Sequence, residues 1–534
     1  MTNVEKARSI RPTYDNRGEP HWQSRMTTPD DTFGACFMVP DRVIPVVFVP
    51  GVMGSNLRGT GAAVGINWRV DSARSMAAWL TRGPEPRKRF LTPTTMEVDA
   101  AGTLPEDTEL PAEELRRRGW GEVAAMSYRE FLVWLEAALN DFNDPDAGER
   151  VGLMSRSLQA LVGEAAPTRD EIGLTYRYRF PVHACGYNWL DSNAVAAKLL
   201  GQRITQIIAR YRTEGKKCEK VILVTHSMGG LVARHCSEVD GYRDKILGVV
   251  HGVMPAIGAA AVYRRFKAGT EGAYMASKVL GEDAAEMTAV LSTAPGPLQL
   301  LPTAEYGNGW LKIKDRSTEY SLPKGGDPYG EIYTVRGKWW SMCEDILMNP
   351  LNDEPTENRR DTRMDSDWAA FCDTIKLVRT FHADISSEYH VQTHAFFGSH
   401  RDQRAYGTVT WSGDGGGWLR GDRVADVLGA RQVGGRELDE SRTVAAQLSG
   451  SGWQKAERQS YRISEPDEDG DGTVPHRSGI ALRSNVKSLL QVNVGHEPAY
   501  KHTEGADNLR ACRFTLRAIV KIAQRVASTS LRYK

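Results

Sequence analysis

Ser227 sits in VILVTHSMGGLVARH (residues 221–235), between an apolar Val/Ile/Leu run and a stretch carrying apolar Met228, Leu231 and Val232. A strand that turns sharply into a helix at a serine pushes the hydroxyl clear of the backbone, the arrangement of a nucleophile elbow. The small Gly229 lets strand and helix approach closely. A serine hydroxyl is a weak nucleophile at neutral pH and needs a base, with a third group to orient that base. Downstream, residues 464–478 read SEPDEDGDGTVPHRS and put Asp471 in a turn between Gly470 and Gly472. Residues 486–495 (VKSLLQVNVG) then read as a strand leading directly into His496. The order Ser, Asp, His suits acyl transfer through a covalent acyl-serine. Asp471 would hold one imidazole nitrogen and leave the other to take the Ser227 proton.

Such a site also needs backbone N–H donors for a developing oxyanion. Met228, directly after the serine, is one candidate by position, and the helix beginning there adds a favourable dipole. The loop after the first apolar run, residues 50–55 (PGVMGS), is expected to supply the other from Val52, since Gly51 and Gly54 let the backbone fold over the site. The alternative for this loop is a plain glycine-rich turn. Thr225 occupies the place where such elbows usually carry glycine. Other histidines compete with His496 as the base. His502 lies closer to the C-terminal helix and would have to fold back, His476 follows Asp471 too closely, and His226 should point away along the elbow. The acidic turn has a rival reading too. Asp467, Asp469, Asp471 and Gly472 match the opening of a calcium loop, but Ser478 stands where a bidentate glutamate belongs, so calcium is not expected to be required.

These residues need a scaffold, and the sequence spells one out. Residues 44–50 (IPVVFVP) form a continuous apolar run of the kind a strand buried on both faces shows, and similar runs recur at 180–185, 221–224 and 246–250. Residues 193–211 carry Val195, Leu199, Ile204, Ile207, Ile208 and Tyr211 at helical spacing. Strands alternating with helices predict an α/β fold with a mostly parallel sheet and helices on both faces. Long mixed stretches at 58–175 and 262–395 interrupt the rhythm as insertions. The second, rich in aromatics such as Trp310, Trp339 and Trp340 and carrying the run at 298–301 (LQLL), is expected to form a cap over Ser227. The divisions that follow are an N-terminal extension (1–43), a core (44–261), a cap (262–395) and a return of the core with acid and base (396–534). Strand-like runs at 394–397, 406–411 and 489–494 and an amphipathic helix at about 506–526 belong to that return.

Composition narrows the class. A net charge of +1, with 41% hydrophobic and 25% charged residues, fits a globular chain and gives no footprint for nucleic acid. The seven cysteines have no paired spacing, so neither a disulfide framework nor a zinc site is expected, and a reducing compartment of synthesis is. Cys185 and Cys236 read as small core residues. The N-terminus lacks a signal-peptide pattern, and no apolar run is long enough to span a bilayer. Membrane contact is therefore expected to be peripheral.

Taken together, VFVPGVMGSNL (47–57), YNW (187–189), THSMGG (225–230) and GDGTVP (470–475) resemble the lecithin:cholesterol acyltransferase and PGAP1-like branch of the α/β-hydrolases, which usually has YDW where this chain carries Asn188. HGVMPAIGAAAVYRRFKAG (251–269) and GHEPAYKH (495–502) are similar to bacterial lipase effectors of type VI secretion. The resemblance implies an α/β-hydrolase fold with cap insertions and a serine esterase, lipase or phospholipase that needs no cofactor. It further implies a lipid or phospholipid ester substrate, an immunity or secretion-apparatus partner, and export without a signal peptide to act on a target cell. Two rival functions share these motifs: a lipid acyltransferase, in which an alcohol replaces water, and a non-catalytic binding scaffold on the same fold.

Overall fold

The Val-rich runs become strands because alternate residues of each find cover on opposite faces. The computed structural model describes residues 6–10, 12–23, 32–35, 39–142, 147–271, 280–315, 318–413, 424–433, 438–446 and 457–533, which leaves Cys36 outside the described residues. Its central sheet is built from β1 (Val46–Val49), β2 (Val182–Ala184), β3 (Val221–His226), β4 (Ile246–Gly252), β5 (Thr393–Gly398) and β6 (Ser488–Val492). They run in the order β2-β1-β3-β4-β5-β6, every pair parallel. Every residue of β1 to β5 is buried, so helices must cover both faces of the sheet.

The helices that matter to the site are α1 (Ala125–Leu139), α2 (Asn193–Thr213), α3 (Gly229–Arg234), α4 (Ala261–Ala268), α5 (Glu357–Asp384) and α6 (Ala506–Ala523). On α2 the buried stripe is Ala196, Ala197, Leu200, Ile204, Ile207, Ile208 and Tyr211. Val195 and Leu199, expected in that stripe, face solvent at 51% and 37% exposure. Small alanines fit the close helix contact, so the apolar face is rotated from the one that bulk alone suggests. The stripe of α6 packs on β4, β5 and β6 and closes the core.

A second six-stranded sheet stands apart, in the order 318–322, 311–315, 409–413, 457–463, 441–446, 431–432. Leu311–Asp315 pairs in parallel with Val409–Gly413 although the two are far apart in the chain. The division expected at 395/396 therefore cuts through one hydrogen-bonded sheet, and the run at 406–411 belongs to this sheet and not to the core. Trp310, Trp339 and Trp340 also depart from expectation. They are buried at 1%, 3% and 6% exposure inside this second body instead of facing Ser227. Trp339 sits edge-on to Trp411 at 5.4 Å, and Trp411 donates its indole N–H to Tyr263 Oη on α4 at 3.0 Å. The aromatics thus seat α4 against the second sheet.

Cys185, Cys218, Cys236, Cys343 and Cys512 are buried as free thiols, and Cys372 is half-buried. Among the described residues no helix is long and apolar enough to cross a membrane.

Candidate active site

β3 ends at His226 and the chain turns at Ser227 with φ of 51°, a left-handed conformation rare for a residue with a side chain. The turn is clamped on both sides: Ser227 N–H donates to the Gly252 carbonyl, and Gly230 N–H donates to the Ser227 carbonyl, each at 2.9 Å. Gly229 is required where it stands, since a Cβ there would lie 2.5 Å from the carbonyl oxygens of Val49 and Pro50. Thr225, in the usual glycine place, is fully buried, and its hydroxyl meets Nδ1 of His251, its neighbour on β4, at 2.9 Å. Burial pushes His251 down to about 3, so the imidazole is a neutral partner.

The structure brings Ser227, His496 and Asp471 into one line. His496 Nε2 lies 2.8 Å from Ser227 Oγ, and Nδ1 lies 2.8 Å from Asp471 Oδ2. A carboxylate can only accept, which puts the imidazole proton on Nδ1 and leaves the Nε2 lone pair facing the hydroxyl. Asp471 is 2% exposed, and its Oδ1 accepts from the N–H groups of Thr473 (3.0 Å) and Val474 (2.7 Å). His496 N–H donates to the Asp471 carbonyl at 2.7 Å, tying base loop to acid turn by backbone as well as side chain.

Asp471 is far from β5 in sequence but adjacent to it in space. His400–Ala405 runs out from the end of β5, and Glu468–Gly470 returns antiparallel beside it. This ladder closes the excursion and delivers Asp471 back to Gly398, where a Cβ would lie 2.5 Å from Asp471 Cβ. The acidic turn is not arranged around a common centre. Asp467 Oδ1 accepts from Gly407 and Thr408 N–H groups, while Asp471 turns to His496. His502 is turned to Glu130, with its Nδ1 at 3.2 Å from Oε1, and packs on Trp134 of α1. His476 Nδ1 meets Ser399 Oγ at 2.9 Å.

The N–H groups of Val52 and Met228 take no part in the hydrogen bonds of the described residues. Val52 lines the cavity at Ser227, whereas the Met228 side chain is fully buried and leaves only its backbone to act there. That cavity has a volume of about 720 Å³. Its lining includes apolar Val52, Met53, Val70, Val262 and Leu300 and charged Arg264, Arg265, Glu271, Glu440 and Glu497. The arginines are neutralised locally: Arg264 pairs with Glu440, and Arg265 pairs with Glu271 at 3.1 Å. Burial pushes the Glu497 carboxyl above its ordinary range, against the opposing charges of His496, Lys501 and Arg265. From 262–395, α4 and the segments around Glu271, Glu282 and Leu300 reach the cavity.

Two features escape a reading of the sequence alone. Tyr128 and His226 form a buried pair beside Ser227, with Tyr128 Oη 3.0 Å from His226 Nδ1, and no spacing rule connects residues so far apart. Asn188 also has a reason to replace the usual aspartate. Its amide nitrogen donates to the carbonyls of Pro93 and Met96, both at 2.9 Å, which a carboxylate cannot do.

A family model of the PGAP1-like alpha/beta domain matches residues 190–265, the stretch that holds α2, β3, the elbow and β4. No curated protein matches the chain. Among solved structures, a chain from the crystal structure of the Tle4-Tli4 complex is similar with a TM-score of 0.71 and 28% identity, covering 90% of this chain and 98% of that one.

Proposed function

We propose, from the premise that this chain belongs to the α/β-hydrolase superfamily, that it is a serine hydrolase cleaving carboxylic ester bonds of lipids. The observation that carries the reading is the hydrogen-bonded line from Asp471 through His496 to Ser227, opening on a cavity large enough for an acyl ester. Ser227 Oγ attacks the ester carbonyl while His496 Nε2 takes its proton. The N–H groups of Val52 and Met228 receive the oxyanion. His496 then returns the proton to the departing alkoxide, leaving an acyl-serine, and water attacks that ester with the same base assisting. Asp471 accepts from His496 Nδ1–H and holds the imidazole in the tautomer these steps need.

Apolar lining residues suit an acyl chain and charged ones a polar head, so a cavity carrying both supports an amphiphilic ester of the phospholipid kind. The motifs shared with type VI lipase effectors and the likeness to a chain of the Tle4-Tli4 complex support a role as an exported antibacterial lipase that pairs with an immunity protein. The test is the product spectrum of the purified protein on mixed phospholipids and neutral lipids, with and without an added alcohol. Free fatty acid, lost in Ser227→Ala together with fluorophosphonate labelling, is the expected outcome. Acyl transfer to the alcohol in preference to water would make the protein an acyltransferase instead. Wild-type turnover by a folded Ser227→Ala protein would remove the assignment altogether.

A further inference from the structure

The oxyanion loop and the base loop come from opposite ends of the chain, yet a single run of hydrogen bonds joins them behind Ser227. Gly51 N–H donates to Tyr128 Oη at 3.1 Å. Tyr128 Oη lies 3.0 Å from His226 Nδ1, and His226 Nε2 lies 2.9 Å from the His496 carbonyl oxygen. The direction of the run follows from its far end. A carbonyl only accepts, so His226 carries its proton on Nε2, its Nδ1 presents a lone pair, and Tyr128 O–H donates to it. We propose that Tyr128 and His226 are positioning residues that lock the oxyanion loop to the base-bearing loop across Ser227. The inference rests on the hydrolase reading of Ser227, and although Tyr128 and His226 border the same cavity, the role assigned to them runs through the two loops they join.

Packing around the pair supports a built device. A Cβ on Gly51 would lie 2.9 Å from His226 Nδ1 and 3.0 Å from Ser227 Cβ. A Cβ on Gly54 would lie 2.6 Å from Tyr128 Oη. Both glycines of the oxyanion loop are therefore needed to make room for this pair as much as for any fold over the substrate. Tyr128 and His226 are 3% and 4% exposed. Tyr128 is wedged against Phe48 of β1 at 4.8 Å, and the His226 ring lies 5.4 Å from that of His496. Burial, with the neighbouring His496 next in size, pushes His226 down to about 3, and burial likewise raises Tyr128 well above its ordinary value. Both groups are neutral at working pH. The pair thus fixes geometry without adding a charge that would oppose the imidazolium formed on His496 during attack.

Tyr128→Phe removes one oxygen and keeps the ring packed. Its kcat on a short water-soluble aryl ester should fall about tenfold with little change in KM or Tm, because the loss falls on transition-state alignment. His226→Gln, which keeps a donor for the His496 carbonyl, should retain more kcat than His226→Ala. The double variant Tyr128→Phe/His226→Gln should be no slower than the slower single one, since the two act in series. Wild-type kcat in Tyr128→Phe, or a multiplicative loss in the double variant, would overturn the proposal. If the His226 variants fail to fold, Tyr128→Phe alone decides it. Ser227→Ala run alongside separates the two claims. Ser227-dependent turnover unaffected by Tyr128→Phe discards the lock alone, and turnover that survives Ser227→Ala discards the hydrolase reading.

Discussion

The two large sheets of this molecule are built on opposite principles. The central sheet is wholly parallel, and each of its first five strands is buried along its full length. The second sheet is mostly antiparallel, with one parallel pair joining strands far apart in the chain. Its strand Leu311–Asp315 alternates between buried and more exposed positions. The parallel sheet places its strand ends, and hence Ser227, the Asp471 turn and His496, along one edge, which is where parallel α/β sheets carry their sites. The second sheet contributes none of these three groups. It supports α4, whose Val262, Arg264 and Arg265 reach the cavity. The Ser227–His496–Asp471 line thus lies at the edge of one sheet, and α4, part of the wall beside it, is held by the other.

The sharpest way to break this division is to remove the proposed base. His496→Ala should lower kcat by roughly 10⁴- to 10⁶-fold, the scale on which triad members act as a unit. His502→Ala, whose side chain faces Glu130 and Trp134, should retain most of the rate. Both variants should melt as cooperatively as the parent, and turnover on a soluble ester is the measurement. A dead His502→Ala beside an active His496→Ala would mean that the base loop works in a register other than the one seen in the structure.

That same comparison explains how much was legible in the sequence. Strands buried on both faces have to be apolar throughout, so β1, β3 and β4 announce themselves as Val-rich runs, and the elbow motif sits at the end of one of them. Strand ends on a common edge make Asp471 and His496 findable by chain order, although the ladder that returns Asp471 to Gly398 is long-range and leaves no local pattern. The second sheet is hidden from a division at 395/396 because the parallel pairing of 311–315 with 409–413 has no signature in either segment. Trp310, Trp339 and Trp340 read as cap material because a hydrophobic residue looks the same in sequence whether it faces a cavity or a core. Tyr128 and His226 were invisible as a pair for the same reason as the ladder: their contact is tertiary, and each alone looks like an ordinary core aromatic and a stray histidine.

A smaller effect probes the supporting sheet. Trp411 is fully buried and holds Tyr263 of α4, which in turn donates to the Trp340 carbonyl at 2.7 Å. Trp411→Ala should destabilise the protein by about 3–5 kcal/mol, the usual cost of emptying a large aromatic site in a core. Below its melting range the variant should still hydrolyse a short soluble ester near the parental rate, because the triad stands on the other sheet. Its activity on long-chain lipid should fall further, because α4 carries part of the cavity wall. Equal losses on both substrates, measured beside urea unfolding, would show that the sheets do not divide the work.

The smallest effect, counted per histidine and per pH unit, is expected on acid stability, and it too should separate the sheets. Burial pushes His226 and His251 down to about 3 and His394 to about 4, on β3, β4 and β5 of the central sheet. In the unfolded chain each returns to an ordinary imidazole value near 6.5. Above that pH neither state binds the proton, and the stability these neutral histidines allow is fully present. As the pH falls from about 6.5 toward 4, the unfolded chain takes up protons that the folded one refuses, so stability is lost with acid. Each histidine contributes at most about 1.4 kcal/mol per pH unit across that window. Melting temperatures should accordingly be flat around neutrality and decline below pH 6.5, with amide exchange rising first in the central sheet. His394→Asn, which keeps an acceptor or donor near Ser488 Oγ (2.7 Å from His394 Nδ1), should flatten that decline by the share of one proton. A decline of unchanged slope in this variant would remove His394 from the groups responsible, and amide exchange rising first in the second sheet would reverse the order of the two regions.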